Sequence, residues 1–251
     1  MKNNNFKRLK YYLSRISEVS KKEGILYILS IGINCLLSPF FVGINKMFKP
    51  SKFIFLGQTY SYFYHWYNTT WRNERAVEIP IVLELIKNYS SERILEVGNI
   101  LSHYFPVNHD IVDKYEKFDG IINQDIVNFS PSKKYELIVS ISTLEHVGLD
   151  EKPRNPKKIL LAIENLKKLL VLGGKIVVTL PLGQNFEIDK LIKEKKIQFT
   201  KQSYLKRISR DNIWIEVNWE NVQDVKYNYT FPGANGLLIG IFDNKRMSYV
   251  M

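Results

Sequence analysis

The sequence predicts an α/β fold: a mostly parallel twisted sheet with helices on both faces, an antiparallel edge at its C-terminal end, and an N-terminal helical, apolar extension. Three observations predict it. Short apolar runs recur between residues 94 and 180, too short for helices and bounded by turn residues, as in strands buried on both faces. A stretch of helical period separates the last two of these runs, giving the strand, helix, strand order of a parallel sheet. Two further apolar runs near the C-terminus, one of them alternating, suit antiparallel closing strands.

Composition bounds the rest. At 251 residues, 45% hydrophobic and 24% charged, the chain can bury one substantial core with an appended segment, hardly two full domains. Its formal charge of +11 is uneven: residues 1–90 hold 13 Lys+Arg against 5 Asp+Glu, and residues 91–251 hold 23 against 20. A polyanion-binding enzyme carries its positive stripe around the cleft, so this asymmetry disfavours nucleic acid and suits a membrane surface as partner. The single cysteine, Cys35, makes no internal disulfide and fits a reducing, cytoplasmic compartment. With four histidines (65, 103, 109 and 146) and one cysteine, no metal site is expected.

Residues 1–50 read as a basic arm followed by an apolar segment. Lys2, Lys7, Arg8, Lys10, Arg15, Lys21 and Lys22 face only Glu18 and Glu23, and residues 24–45 then contain no ionisable acid or base. As a helix that run would measure roughly 30 Å, enough to cross a bilayer. Asn34 near its middle, Pro39, and the basic far flank of Lys46, Lys49 and Lys52 leave three readings open. It spans a membrane, lies on an anionic surface, or forms two helices of a subdomain broken at Ser38-Pro39. No small-x-small cleavage site follows, so a secretory signal is not expected.

Residues 51–90 form an aromatic segment. Tyr60, Tyr62, Phe63, Tyr64, Trp66, Tyr67 and Trp71 are too many to be exposed singly. Interleaved with Asn68, Arg72, Asn73, Glu74 and Arg75, they resemble a ligand-facing wall, with His65, Trp71, Arg72 and Arg75 as contacts. Arg72 and Arg75, three apart, could clamp a carboxylate or phosphate from one helical face. The alternative is an amphipathic helix on the sheet, with Arg75 paired to Glu78 or Glu74.

Residues 91–251 carry the sheet. Ile94-Leu95-Glu96-Val97-Gly98 reads as a first buried strand opening into a tight turn at the glycine. Candidate strands follow at 109–113, 120–122, 135–142 and 174–180. Ile159, Leu160, Ile163, Leu166, Leu169 and Leu170 recur at helical spacing within 156–172, and Gly173-Gly174 is expected to end that helix. A helix over 186–196 and strands at 213–217 and 236–242 complete the chain. Loop 228–235 could reach the ligand site, with Arg207, Tyr204 and Trp219 as further candidates. Asp113 ends the second strand, 17 residues after Glu96, near the distance at which a carboxylate meets ribose hydroxyls in a Rossmann-like fold. Asp125 follows the third strand, where its side chain could read an adenine edge.

Over residues 90–185 the segments ILEVG, IVDKYE, INQDIVNF, YELIVSISTLEHVG and LLVLGGKIVVTLPLG resemble the Rossmann-like class I S-adenosylmethionine-dependent methyltransferases. The resemblance implies S-adenosyl-L-methionine as cofactor, held by Glu96, Gly98, Asp113, Asp125 and Ser142, with residues 142–146 along the cleft and the aromatic segment as a lid. The chain departs from the family pattern where a run of three glycines is usual and Gly98 stands alone. Only 11 residues separate Gly98 from Asp110, so the first connecting helix is expected to be short or absent.

A sulfonium supplies the electrophile, so such a protein must position the acceptor and remove its proton. His146, beside Glu145, is the candidate base, since imidazole titrates near neutrality; a purely structural histidine is the alternative. The expected function is methyl transfer to a small-molecule or lipid-linked acceptor, such as a sugar. The alternative is a non-catalytic nucleoside-binding or sensor protein.

Overall fold

The computed structural model describes residues 40–44 and 46–244. The basic arm lies outside the described residues, as do residues 24–39 and 45 of the uncharged run, with Asn34, Cys35 and Pro39. Residues 40–44 and 46–48 are helical and present Phe40, Met47 and Phe48 to solvent, at 68%, 79% and 81% exposure. Among the described residues no helix is long and apolar enough to cross a membrane.

The chain then makes a hairpin, β1 (Lys52–Phe55) and β2 (Gln58–Ser61), a short 3-10 stretch at Tyr67–Arg72, and helix α1 (Arg75–Ile86). The main sheet contains β3 (Ile94–Val97), β4 (Asp110–Val112), β5 (Ile121–Ile122), β6 (Tyr135–Ile141), β7 (Leu170–Pro181), β8 (Lys201–Arg207), β9 (Trp214–Val217) and β10 (Gly236–Asp243). Helices α2 (Lys158–Lys168) and α3 (Phe186–Lys193) follow β6 and β7. The strand order is β5-β4-β3-β6-β7-β10-β8-β9, parallel from β5 to β7 and antiparallel from β7 to β9. This is the predicted Rossmann-like architecture with its antiparallel C-terminal edge.

Strand alternation divides the core between the two faces. Leu95, Val97, Ile138, Ile176 and Val178 pack under α2 and α3, whereas Ile94, Leu137, Val139, Ile141 and Val177 pack under α1. Helix α2 buries Ile159, Ala162, Ile163 and Leu166, the i, i+3, i+4, i+7 stripe of an amphipathic helix, and leaves Leu161 exposed. Each fully buried Ile or Leu contributes about 1.5–3 kcal/mol.

The expected end of α2 at Gly173-Gly174 is corrected. The helix stops at Lys168, because the Leu169 carbonyl accepts from Tyr135 N–H at 2.9 Å and Leu170 pairs with Tyr135 in the sheet. Gly173, at φ 83°, lies inside the β7 run, where the β6–β7 register shifts. As expected, only a 3-10 turn at Leu101–His103 stands between β3 and β4.

The aromatic segment is neither one helix nor a free lid. Phe53, Phe55, Tyr62, Tyr64, Trp71, Ala76 and Val77 form a second core with Leu205, Trp214, Leu237 and Ile239 of the antiparallel edge. Pro80 sits inside α1 and has no N–H for the Ala76 carbonyl, which accepts instead from Phe63 N–H at 2.9 Å. The Tyr62 hydroxyl accepts from Trp214 N–H at 2.9 Å, and Asn212 donates to the Asn73 carbonyl at 2.7 Å.

Candidate functional site

The chain runs from β3 outward through β4 and β5, and from β6 in the opposite direction through β7, so the β3–β6 boundary is a topological switch point. Two hollows open beyond the carboxyl ends of these strands. One, of about 300 Å³, is lined by Val97, Gly98, Ile100, Val112, Asp113 and Ile126 among others. The other, of about 790 Å³, is lined mainly by polar and charged residues of the aromatic segment and the 228–233 loop. Arg75, Ser142 and His146 line both, and so form the seam between them.

The smaller hollow is shaped by hydrogen bonds to its own backbone. Glu96 is fully buried: one carboxylate oxygen accepts from the N–H groups of Ile100 and Leu101 at 2.9 and 2.8 Å, and the other meets His109 Nε2 at 2.7 Å. It therefore holds the turn after β3 and does not itself line the hollow. Gly98 has a φ of 85°, and a Cβ there would come within 2.2 Å of Thr143 Oγ1, so its missing side chain makes room for Thr143. Asp113 lines the hollow while accepting from the N–H groups of Asn99, Tyr115 and Glu116. Asp125 also lines it, but its carboxylate is bound by Lys158 at 2.5 Å and Lys114 at 2.9 Å, both of which also reach Glu151. Burial pushes the Asp125 carboxyl up, and the two lysines outweigh this and bring it down to about 2.

At the seam, Ser142 has a φ of 38°, a left-handed conformation that costs a non-glycine residue about 1–3 kcal/mol. Its N–H donates to both the carbonyl and the hydroxyl of Thr179 at 3.1 Å, and its hydroxyl donates to Glu78. Glu78 also accepts from Thr179 Oγ1 at 2.6 Å and pairs with Arg75 at 2.5 Å, so α1 is locked to the ends of β6 and β7. Burial would lower the Arg75 guanidinium, but Glu78 and then Glu74 hold it above its ordinary value. Burial, then the neighbouring Glu78, pushes the Glu74 carboxyl up.

In the larger hollow, Glu145 is 1% exposed and neither carboxyl oxygen has a hydrogen-bond partner among the described residues. Burial pushes its carboxyl well above the ordinary range, against a smaller opposing pull from a backbone hydrogen bond and from Arg75. Its backbone carbonyl accepts from Asn185 Nδ2 at 2.6 Å, and Asn185 also caps α3. His146 Nδ1 meets Asp150 Oδ2 at 2.7 Å, which leaves Nε2 facing Gln184 Nε2 at 3.3 Å and Glu145 Oε1 at 3.7 Å. An imidazole bonded to a carboxylate through Nδ1–H presents Nε2 as the acceptor.

The remaining predicted contacts divide. Arg72 lines the larger hollow. Arg75 lines both hollows and carries the internal ion pair with Glu78. Trp71 is buried in the second core and lines a smaller neighbouring pocket of about 320 Å³. His65 lines none of the pockets described; its ring stacks on Phe63, and burial, then Lys46, lowers its pKa. Arg207 lines the larger hollow, but its guanidinium donates to the carbonyls of Ser209, Arg72, Pro232 and Arg210 and so fastens the surrounding loops. Glu78, Asp150, Gln184 and Arg210 were not among the predicted site residues. An acid inside the apolar run of α1 was a legible sign for Glu78, and an acid four residues after His146 for Asp150; Gln184 and Arg210 carry no such sign. Among the described residues no cluster of three or more His, Cys, Asp or Glu is arranged to hold a metal ion.

No family model matches this chain, and no curated protein matches it. Among solved structures it is similar to the N-methyltransferase NodS from Bradyrhizobium japonicum WM9 in complex with S-adenosyl-L-homocysteine. The identity is 14% and the TM-score 0.45, over 68% of this chain and 87% of that one. It is also similar to an rRNA methylase from Streptococcus thermophilus, at 11% identity and a TM-score of 0.40, over 66% and 96% of the two chains. A third is a SAM-dependent methyltransferase from Thermotoga maritima, described as a possible histamine N-methyltransferase, at 16% identity and a TM-score of 0.37, over 65% and 87%.

Proposed function

We propose that this protein is a methyltransferase that uses S-adenosyl-L-methionine and acts on a small-molecule or lipid-linked acceptor. The observation that carries the reading is the pair of hollows joined at Arg75, Ser142 and His146, beyond the carboxyl ends of β3 and β6. A two-substrate transfer needs two such compartments with one shared boundary. The smaller hollow fits the nucleoside part of the cofactor: Val97, Ile100, Val112 and Ile126 give it apolar walls, and Asp113 gives it one acidic group at a strand end. Asp113, Gly98 and Ser142 would hold the cofactor; Glu96 acts one step behind them by fixing the turn, and Asp125 by anchoring Lys114 and Lys158 at the rim.

When bound, S-adenosyl-L-methionine supplies a methyl group already activated on sulfonium sulfur. The chain's own residues do the rest. His146 Nε2, oriented by the Nδ1 contact to Asp150, accepts the proton that an acceptor hydroxyl or amine loses. Glu145, whose protonated form burial favours and whose carboxyl oxygens make no hydrogen bond among the described residues, would donate one to the acceptor and fix its direction. The exposed Phe40, Met47 and Phe48 beside the exposed Lys46, at the end of an uncharged run, support docking at the cytoplasmic face of an anionic membrane.

Calorimetry with S-adenosylhomocysteine tests the cofactor: binding is expected, and its absence removes the reading. Asp113→Ala should weaken that binding, whereas His146→Ala should leave it and lower turnover about 100-fold or more, measured as labelled methyl uptake in an extract. A non-catalytic nucleoside-binding or sensor protein is favoured by Thr143 filling the space over Gly98, and is indicated by cofactor binding without methyl uptake.

A further inference from the structure

The rim of the larger hollow holds cations that no salt bridge among the described residues engages. Arg72 and Arg210 line it, are both exposed, and make no ion pair among the described residues. Both also line the adjoining pocket, where Lys49 lies, so the two spaces share the arginines. Lys49 has one acid near it, the exposed Asp211, at 4.0 Å. Burial, with Arg207 and Arg72 close by, lowers the Lys49 pKa against the pull of Asp211. Arg207, behind them, has its donors committed to backbone carbonyls and adds charge without contacting a ligand. Like charges gathered this way repel each other unless an anion joins them.

A second observation points into the same space. Glu145, buried and unpartnered, lines the hollow together with Asn68, Thr69, Gln184 and Thr230, whose amides and hydroxyls both donate and accept. At about 790 Å³ the hollow has room for much more than a single anion.

We infer that the larger hollow binds an acceptor carrying a phosphate or pyrophosphate group, seated on Arg72 and Arg210 with Lys49 beside them, and a hydroxyl-rich body directed toward Glu145 and His146. Guanidinium forks match phosphate oxygens in pairs. Arg72, Arg210 and Lys49 make one ion pair between them, Lys49 with the exposed Asp211, and the other acids lining the larger hollow, Glu74 and Glu145, are buried with their carboxyls pushed up, which suits a multiply charged phosphate better than a single carboxylate. The inference rests on the methyl-transfer reading for the reacting end only; the anion seat stands without it.

The test uses pyrophosphate as probe, titrated into the full-length chain and into Arg72→Gln/Arg210→Gln, with S-adenosylhomocysteine titrated in parallel. The double variant is expected to bind pyrophosphate about tenfold more weakly or worse, with unchanged S-adenosylhomocysteine affinity. Arg72→Lys/Arg210→Lys, which keeps the charge, should recover most of the loss. Equal pyrophosphate affinity in wild type and the glutamine variant, or no binding in wild type, overturns the seat. Pyrophosphate binding without S-adenosylhomocysteine binding in the wild type overturns methyl transfer and leaves the seat standing. Phosphatidylcholine vesicles with and without phosphatidic acid separate the sources. Pelleting that needs phosphatidic acid and is abolished by pyrophosphate indicates a lipid-linked phosphate. Pyrophosphate binding without such pelleting indicates a free one.

Discussion

The two hollows differ in what their charged groups are doing. In the smaller, the carboxylates of Asp113 and Asp125, and that of Glu96 behind them, are already engaged by backbone N–H groups, His109 or lysines, so its shape is set before any ligand enters. In the larger, the Glu145 carboxyl makes no hydrogen bond, and Arg72 and Arg210 make no ion pair among the described residues. A compartment with satisfied groups binds through shape and apolar contact, and one with unsatisfied groups binds through what the ligand brings. Specificity for the acceptor is therefore expected to be electrostatic, and that for the nucleoside steric.

Substitution at the seam should break this contrast most severely. Arg75→Met removes the cation from a buried group containing Glu74, Glu78 and Glu145. Leaving carboxylates without their cation is expected to lower stability by about 3–5 kcal/mol in urea denaturation and to perturb both hollows. A variant of wild-type stability would show that Arg75 does not organise the seam.

Glu145→Gln acts on one side only. It keeps the shape of a protonated carboxyl and should leave S-adenosylhomocysteine affinity unchanged while reducing methyl uptake about 100-fold. The linkage has a definite sign. Glu145 is raised in the folded chain, so the wild type loses stability as pH rises above the ordinary carboxyl value of 4.5, whereas the glutamine variant escapes this loss. Parallel stability curves from pH 4 to 8 would show that Glu145 is ionised as usual.

The smallest effect belongs to the nucleoside side. Asp125 lies at about 2, below its ordinary 3.8. Its contribution is complete above 3.8 and disappears as pH falls through 2. Asp125→Asn should be less stable than wild type at neutral pH and should approach it in acid, as read by thermal unfolding across that window.

Much of this arrangement was legible in the chain. The short apolar runs at 94–97, 110–112 and 135–141 identified the parallel strands because burial on both faces leaves them no polar alternation. The isolated Gly98 was read correctly as a turn, but its neighbour Thr143 lies far along the sequence and carries no local trace of the contact. Gly173-Gly174 looked like a helix stop because local pattern does not reveal that Leu169 and Leu170 are claimed by Tyr135 across the sheet. Strand β8 was missed since its outward residues, Lys201, Gln202 and Lys206, dilute the apolar signal of Tyr204 and Leu205. His65 suggested a ligand contact by its aromatic company, and in the fold its ring packs on that company, Phe63 and Tyr104.

Pro80 has a mechanical consequence. Because it cannot close its own turn of helix, it leaves an acceptor that Phe63 fills, and the arm leading to Asn68 and Arg72 is thereby fastened to the rod that bears Arg75 and Glu78. Arg75 lines both hollows, so this single backbone contact ties the arm that lines one chamber to a wall shared with the other.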